Sequence, residues 1–263
     1  MLYWAVGVII ILIGVSYAFN TYMHQQKQPE TPLVTNENSP ATEGPVHVTP
    51  IMHATAVLNW GGTIIYTDPT DASLLSGQPA ANIVLVTDIH FDHLSTSTLE
   101  AIVGPTTALI VPKAVADMLP ADLAARAHVL ANGATTTEQD LNIEAIPMYN
   151  IPESPKAFHT KGRGNGYVIE KDGYRVYVAG DTSGIPEMRA LQNIAIAFIP
   201  MNLPYTMDVE EAADAVLAFK PKIVYPYHYR GQNGLSDVNH FKELVNAGDP
   251  NINVILLNWY PGQ

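Results

Sequence analysis

The residues best suited to chemistry in this chain are two carboxylates and two imidazoles within six positions. Asp88, His90, Asp92 and His93 follow the apolar run Ile83 to Val86, which predicts a buried strand. Unpaired charges are costly to bury, so such a cluster usually binds a ligand, and its donor atoms suit Zn, Mn or Fe. The spacing indicates more than one ion, with Asp88 and His90 facing the first. The alternative interpretation is a solvated loop with scattered histidines.

Three further segments place an acid or a histidine beside a predicted strand. Asp181 follows the strand Tyr174 to Val178, and His228 follows the apolar run Ile223 to Tyr225. His159 lies in a Gly-rich loop that precedes another strand. Because α/β proteins expose functional side chains where strands stop, we expect these residues to join the first cluster.

In their order along the chain, these motifs resemble those of the metallo-β-lactamase superfamily, and most closely its ascorbate-6-phosphate lactonase-like branch. The resemblance extends over about residues 47 to 263 and includes four further segments: His53-Ala54-Thr55, the hairpin Val57 to Asp68, Met148-Tyr149-Asn150 and Gly164-Asn165-Gly166-Tyr167. The family's usual first motif is His-x-His-x-Asp-His, whereas this chain has Asp88 in the first position. The departure changes the first metal site without removing a ligand, since carboxylate oxygen also binds Zn or Mn.

The resemblance implies a set of ligands for two divalent ions, with Zn or Mn best suited. The first group consists of Asp88, His90 and His159, and the second group consists of Asp92, His93 and His228. Asp181 is the acid that would bridge the two ions. For Asp88 the alternative role is an acid that orients a neighbouring histidine.

The implied activity is that of a metal-dependent hydrolase. Two ions would share a water and lower its pKa, which generates a bridging hydroxide. Asp92 would orient this hydroxide and carry a proton to the leaving group, and Asp181 would hold the two ions together. The resemblance favours a lactone, an ester or a phosphoester as substrate. The alternatives are a phosphodiesterase acting on a lipid or nucleotide, and a metal-binding protein that keeps the fold without catalysis, because one fold hosts many chemistries.

Four residues near these motifs are candidates for binding substrate. Lys161 and Arg163 could bind an anionic group, or they could be solvated charges of the Gly-rich loop. Tyr149 ends a predicted strand and could donate a hydrogen bond, or it could simply pack there. His53 could contact substrate, or it could be a core histidine bonded to backbone. The other histidines are interpreted as surface or tether residues: His24, His47, His128 and His240.

Composition limits the possible partners. The chain has 263 residues, 47% of them hydrophobic, which is ample for a core. Its formal net charge is -12, and its 13 Lys and Arg form no basic stripe, so nucleic acid is excluded as a general partner. A small-molecule substrate is expected instead. There is no Cys, which excludes disulfides and thiolate ligands.

The N-terminus predicts a separate element. Leu2 to Phe19 contains no charged side chain, and as a helix it would be about 27 Å long, close to the thickness of a bilayer core. We interpret residues 1–19 as a transmembrane anchor and residues 20–46 as a disordered tether. The domain at 47–263 would then lie at a membrane, on a side the sequence leaves open, with the extracytoplasmic side slightly favoured. The alternative is a signal peptide cut after Ala18.

The predicted fold is α/β. Hairpins mixed with helix-flanked strands indicate two mixed sheets packed face to face with helices outside. The resemblance implies the same four-layer αββα sandwich, with the metals at one edge between the sheets. Asp208 and Glu211 read as a capping box for a helix Val209 to Phe219, and Ser236 is the expected cap of the last helix.

Overall fold

The structure of the protein is a computed structural model that describes residues 41–262. A seven-stranded mixed sheet forms the first half of this part of the chain. Its strands follow one another in chain order: β1 (Ala41–Glu43), β2 (Val46–Met52), β3 (Thr55–Trp60), β4 (Thr63–Thr67), β5 (Ile83–Leu85), β6 (Ala108–Val111) and β7 (Ala127–Val129). The strands β1 to β4 pair antiparallel, and β4 to β7 pair parallel.

A second seven-stranded sheet repeats this plan. In chain order its strands are β8 (Thr135–Glu138), β9 (Leu141–Met148), β10 (Gly164–Lys171), β11 (Tyr174–Val178), β12 (Ile196–Pro200), β13 (Ile223–Tyr227) and β16 (Asn253–Val254). Between β13 and β16 the chain forms a separate hairpin of β14 (Arg230–Gly231) and β15 (Gly234–Leu235). The strands β8 to β11 pair antiparallel, whereas β11, β12, β13 and β16 pair parallel. Each half therefore presents the carboxyl ends of several parallel strands.

The core lies between the two sheets because strand side chains alternate in direction. Leu58 and Ile65 of the first sheet belong to one buried cluster with Tyr167 and Val176 of the second. The residues of opposite parity, such as Val57, pack instead with the helices of the first half. The helices are α1 (Thr96–Ile102), α2 (Lys113–Ala116), α3 (Ala121–Ala124), α4 (Pro186–Arg189), α5 (Val209–Phe219) and α6 (Val238–Gly248).

Helix α5 shows how local sequence specifies an element. Asp208 accepts a hydrogen bond from the Glu211 backbone N–H at 2.7 Å, which satisfies one of the free donors of the first turn. Lys220 ends the helix in the left-handed conformation with φ 48°. Phe219 packs edge-on against Tyr177 of β11 with ring centroids 6.1 Å apart, so α5 lies against the second sheet.

The predicted mixed α/β sandwich is confirmed, with differences at its edges. Residues 41–46, predicted as tether, include β1 and the turn into β2. Helix α6 is capped by Asp237 and not by Ser236, because the Asp237 carboxylate accepts from two backbone N–H groups of the first turn.

The predicted membrane location is contradicted by the helix lengths. Residues 41–262 contain no helix that is long and apolar enough to cross a bilayer. The helices α5 and α6 have 11 residues each, which makes them about 16 Å long, roughly half the thickness of a bilayer core. The run Leu2 to Phe19 and residues 20–40 of the predicted tether lie outside the described residues.

Candidate metal centre

The predicted ligands converge at the carboxyl ends of parallel strands from both sheets. Asp88 and the three ligands after it follow β5, and His228 follows β13. Asp181 follows β11, and His159 lies in the connection from β9 to β10. The structure thus brings together all seven of the residues predicted as ligands, in two groups that each place three donor atoms within 4.8 Å of one another, with Asp181 between them.

The first group consists of Asp88, His90 and His159. His90 Nδ1 lies 2.9 Å from Asp88 Oδ2, and His159 Nε2 lies 3.2 Å from His90 Nδ1. The separation between His159 Nε2 and Asp88 Oδ2 is 3.8 Å. Asp88 and His159 are buried, whereas the His90 side chain is 36% exposed, so this group opens toward solvent through His90.

The second group consists of Asp92, His93 and His228. His93 Nε2 and His228 Nε2 face each other at 3.2 Å, and Asp92 Oδ2 lies 3.4 Å from His228 Nε2. Both histidines are buried. Burial opposes the ionisation of Asp92, but the hydrogen bond with His228 and the charge of His93 outweigh it and lower its pKa to about 2.

Asp181 lies between the two groups. Its Oδ2 is 3.2 Å from His159 Nε2 and 3.3 Å from His93 Nε2, and its Oδ1 is 3.4 Å from His228 Nε2. Burial opposes the ionised carboxylate, but the imidazoles of His228 and His93 outweigh it and hold the pKa of Asp181 well below its usual range. A buried carboxylate that faces several imidazole nitrogens in this way has the arrangement of a bridging ligand.

The donor atoms fit divalent cations in chemistry and spacing. Ligands about 2.1 Å from a tetrahedral ion lie about 3.4 Å apart, and most of the separations within and between the groups are close to this value. Asp181 Oδ1 is buried without a hydrogen-bond partner in the described chain. Buried polar atoms are normally satisfied, so a cation between these groups accounts for both observations.

Asp68 is a functional residue that the sequence reasoning missed. It follows β4 with φ 44°, and its buried Oδ2 lies 2.8 Å from His93 Nδ1. Asp68 also accepts hydrogen bonds from the Thr87 backbone N–H and hydroxyl, both at 2.7 Å. This contact fixes the proton of His93 on Nδ1 and directs the Nε2 lone pair into the centre. The signal in the sequence was an acid that follows a strand, the same signal that identified Asp181.

Asn150 supports His159 in a similar way. Its Oδ1 accepts from the His159 backbone N–H at 2.9 Å and lies 3.2 Å from His159 Nδ1. The Tyr205 carbonyl also lies 3.2 Å from Nδ1. Both partners are acceptors, so Nδ1 carries the proton and Nε2 is free to bind a cation.

Arg163 forms a bidentate ion pair with Asp88. Its Nε donates to Asp88 Oδ1 at 3.0 Å and its Nη2 donates to Asp88 Oδ2 at 2.8 Å. The Asp88 carboxylate is fully buried, and the Arg163 side chain is 19% exposed. Arg163 was predicted to bind substrate, but the structure places its guanidinium on the acid that departs from the family motif.

Tyr149 and Lys161 lie outside the residues that line the cleft. The Tyr149 hydroxyl donates to Glu187 at 2.9 Å, and Lys161 donates to the same hydroxyl at 3.2 Å. Lys161 also pairs with Glu153 at 3.2 Å and with Glu187 at 3.3 Å. Both predicted substrate residues are therefore engaged with neighbouring side chains.

A cleft of about 410 Å³ opens onto the centre, and His53 is one of the residues that line it. The His53 ring packs edge-on against His228 with centroids 5.5 Å apart, and its carbonyl accepts from the His228 backbone N–H. Burial, with the charges of His228 and Arg230, lowers the pKa of His53 to about 4. The structure therefore presents a neutral imidazole at this wall of the cleft.

Gly180 allows the backbone before Asp181 to approach the centre. It adopts φ 66°, and a Cβ at this position would lie 2.5 Å from Met148 Sδ. Its N–H donates to the Tyr227 hydroxyl at 2.9 Å. A larger residue would displace the turn that carries Asp181.

Comparison with known proteins identifies the family. A family model described as a beta-lactamase superfamily domain matches residues 47–228. A UPF0173 metal-dependent hydrolase of Thermococcus onnurineus is 32% identical over 199 residues, which cover 70% of this chain and 86% of that protein. Another from Pyrococcus furiosus is 30% identical over 216 residues, covering 76% of this chain and 92% of that protein.

Solved structures agree with this assignment. A protein described as a metal-dependent hydrolase from Parabacteroides distasonis is 36% identical with a TM-score of 0.71, covering 81% of this chain and 94% of that one. Igni18, a metallo hydrolase from Ignicoccus hospitalis, is 25% identical with a TM-score of 0.68, covering 83% and 96%. The chain thus belongs to the metallo-β-lactamase superfamily, as a metal-dependent hydrolase of the UPF0173 family.

Proposed function

We propose that this protein hydrolyses a lactone, an ester or a phosphoester at a centre of two divalent ions, Zn or Mn. The observation that carries the proposal is the position of Asp181, whose Oδ2 lies within 3.3 Å of an imidazole nitrogen from each group and whose Oδ1 lies 3.4 Å from His228 Nε2. When bound, the ions supply a lowered water pKa and a Lewis acid for the carbonyl or phosphoryl oxygen. The ascorbate-6-phosphate lactonase-like resemblance makes a lactone the first substrate class to test.

The residues of the centre would have separate roles in binding the ions and in orienting the attacking water. The two groups and Asp181 hold the ions, and Asp68 and Asn150 keep His93 and His159 in the tautomers that ligation requires. Asp92 lines the cleft with a side chain that is 23% exposed, so one of its oxygens can accept a hydrogen bond from the attacking water. With a pKa of about 2 it stays ionised near neutral pH, so Asp92 orients the water as an acceptor.

The proposed hydrolase domain is 47–263, with 41–46 paired at its edge. It contains every proposed ligand and the whole cleft. A cleft of about 410 Å³ suits a small molecule and not a polymer. His53 would contact substrate from the wall of the cleft beside His228.

Metal analysis and a substrate panel test the proposal together. We expect close to two transition-metal ions per chain after mild dialysis, and turnover of at least one of a lactone, a carboxylic ester and a phosphodiester. His228→Ala removes a ligand from the second group and should reduce both metal content and turnover. The matched control is His240→Ala, whose side chain is 43% exposed on α6 and is not among the residues that line the cleft.

The outcomes separate the alternatives. Turnover of the phosphodiester alone would favour a phosphodiesterase. Two bound ions without turnover of any member of the panel would indicate a metal-binding protein, and an absence of stoichiometric metal would refute the proposed centre.

A further inference from the structure

The cleft contains a guanidinium that has no acidic partner among residues 41–262. Arg230 is the only Lys or Arg among the described residues that line the cleft. Its Nε is buried without a hydrogen-bond partner, and no carboxylate of residues 41–262 forms an ion pair with it. An unsatisfied buried donor on a charged group costs free energy, so its retention in a cleft points to a ligand that satisfies it.

The other cations near the centre are already neutralised. Arg163 uses Nε and Nη2 on the two oxygens of Asp88. Lys161 lies between Glu153 and Glu187 at 3.2 and 3.3 Å. Neither therefore has a free charge to offer an anion, whereas the guanidinium of Arg230 has no competing carboxylate.

Several contacts hold Arg230 in place. Its guanidinium carbon lies 4.7 Å from the centroid of the Tyr260 ring, and its backbone N–H donates to the Tyr260 hydroxyl at 3.1 Å. The hairpin of β14 and β15 is fixed against Leu203, whose carbonyl accepts from the Gln232 N–H at 2.9 Å. A Cβ on Gly231 would lie 2.2 Å from the same carbonyl oxygen, so only glycine permits this approach.

Apolar side chains line the same cleft. Phe91 is 87% exposed and Phe158 is 49% exposed, although both are large hydrophobic residues. Phe158 is held edge-on against Tyr205, with ring centroids 5.0 Å apart. The described lining of the cleft thus offers the proposed metal centre, an apolar surface and the guanidinium of Arg230 to the same bound molecule.

We propose that Arg230 binds an anionic group of the substrate, a carboxylate or a phosphate, at a position away from the bond that is hydrolysed. The inference rests on the proposed function and narrows its substrate to small anionic esters or lactones. The planar guanidinium binds either oxyanion through two parallel hydrogen bonds. The aromatic rings of Phe91 and Phe158 would contact the carbon skeleton that joins the anion to the scissile group.

A pair of esters that differ in one charge tests the proposal. We expect the metal-loaded full chain to have a higher kcat/KM for mono-4-nitrophenyl glutarate than for the neutral 4-nitrophenyl valerate. Arg230→Gln should lower the ratio of the two values by at least about tenfold, mainly through KM for the glutarate ester. Arg230→Lys keeps the positive charge but cannot form two parallel hydrogen bonds, so it should retain part of the preference for the charged ester. Lys156→Gln removes an exposed cation from the loop before His159 and should keep the wild-type ratio.

Binding of glutarate and of phenyl phosphate, followed by calorimetry, separates this inference from the proposed function. If neither ester is hydrolysed, the ester activity fails, but wild-type protein should still bind one of these anions at least about tenfold more tightly than Arg230→Gln does. Stronger dependence on Arg230 for glutarate identifies a carboxylate site, and for phenyl phosphate a phosphate site. Equal affinities for both anions in wild type and variant, or an unchanged ester ratio, would overturn the assignment. Metal content and melting temperature confirm that each variant is folded.

Discussion

The two groups of ligands differ in what lies behind them. In the second group, His93 is buried and bonded to the buried carboxylate of Asp68. In the first group, the acid itself is paired, because both oxygens of Asp88 accept hydrogen bonds from Arg163. The His90 side chain of this group is 36% exposed. The second group therefore directs a free lone pair inward, whereas the first group contains a carboxylate whose charge is already balanced.

This difference predicts unequal affinities. An ion in the first group must share Asp88 with a guanidinium, and the positive charge of Arg163 opposes a second cation nearby. In the second group, no Lys or Arg among the described residues forms an ion pair with Asp92, and Asp68 increases the basicity of His93. We expect the second group to retain its ion longer during dialysis.

Removing the bridge should erase the difference between the groups. Asp181→Asn keeps the shape of the side chain but removes the charge that both groups share. We expect loss of both ions and a decrease in kcat/KM of about 10³ or more, measured by elemental analysis and by the ester assay. Asp172→Asn, in the exposed turn between β10 and β11, is the matched control and should behave as wild type. Retention of both ions in Asp181→Asn would contradict a bridging role.

Arg163→Gln should destabilise the protein only when metal is scarce. It leaves the buried Asp88 carboxylate unpaired, which costs about 3 kcal/mol in the free energy of unfolding of the metal-depleted chain. Metal should recover most of this loss, since an ion can then neutralise Asp88. Denaturant unfolding with and without added Zn or Mn measures both values.

The control for Arg163→Gln is Arg175→Gln, which breaks an ion pair between Arg175 and Glu144 that is more exposed than the pair of Arg163 with Asp88. This variant should cost less than about 1 kcal/mol, with or without metal. An equal loss for Arg163→Gln in both conditions would show that Asp88 does not meet the metal.

Asp68→Asn should affect the second group alone. The amide cannot hold His93 in the required tautomer as a carboxylate does, and the expected loss of affinity for that ion is about 10- to 100-fold. Competition with a chromogenic chelator resolves the two affinities. Asp71→Asn, three residues along in an exposed turn, is the control. A weakened first ion with an intact second one would reverse the assignment of Asp68.

The smallest expected effect lies outside both groups, at Glu187. Burial opposes its ionisation, but its own backbone N–H, Tyr149 and Lys161 outweigh it and lower its pKa. A lowered pKa stabilises the folded state above the unfolded value of about 4.3, and this contribution disappears as the pH falls through the folded value. Glu187→Gln should therefore cost less than about 1 kcal/mol near pH 7 and a smaller amount near pH 3. Unfolding at both pH values measures this, with the exposed Glu100→Gln as control and metal content unchanged.

Local signals predicted the elements whose own residues specify them. The helix Val209–Phe219 has the predicted bounds because an apolar period runs through it, a capping acid precedes it and a left-handed residue directly follows it. The strand Thr135–Glu138 was missed, since its sequence Thr-Thr-Thr-Glu has no apolar alternation and its form depends on pairing with β9. The proposed ligands were accessible to sequence reasoning because six of them follow a strand and His159 lies in a Gly-rich loop that precedes one.

The charges around the site could not be assigned in this way. Lys161, Arg163 and Arg230 are alike in a sequence, and only tertiary packing determines that the first two have acidic partners. Asp68 follows a strand as Asp181 does, but only the packing shows that it bonds to His93, 25 residues along the chain. Motifs report which side chains can bind an ion, whereas the surroundings that tune those side chains come from distant parts of the chain.

The proposed ligands are divided between the two sheets, and this has a consequence for the lifetime of the protein. Asp92 and His93 follow β5 of the first sheet, and His228 follows β13 of the second. An ion bound by all three would therefore link the two sheets. At a free metal concentration one hundred times the dissociation constant, such an ion adds about 2.7 kcal/mol to the free energy of unfolding. Metal supply would then govern how readily the sandwich opens to proteases, as well as whether it can catalyse.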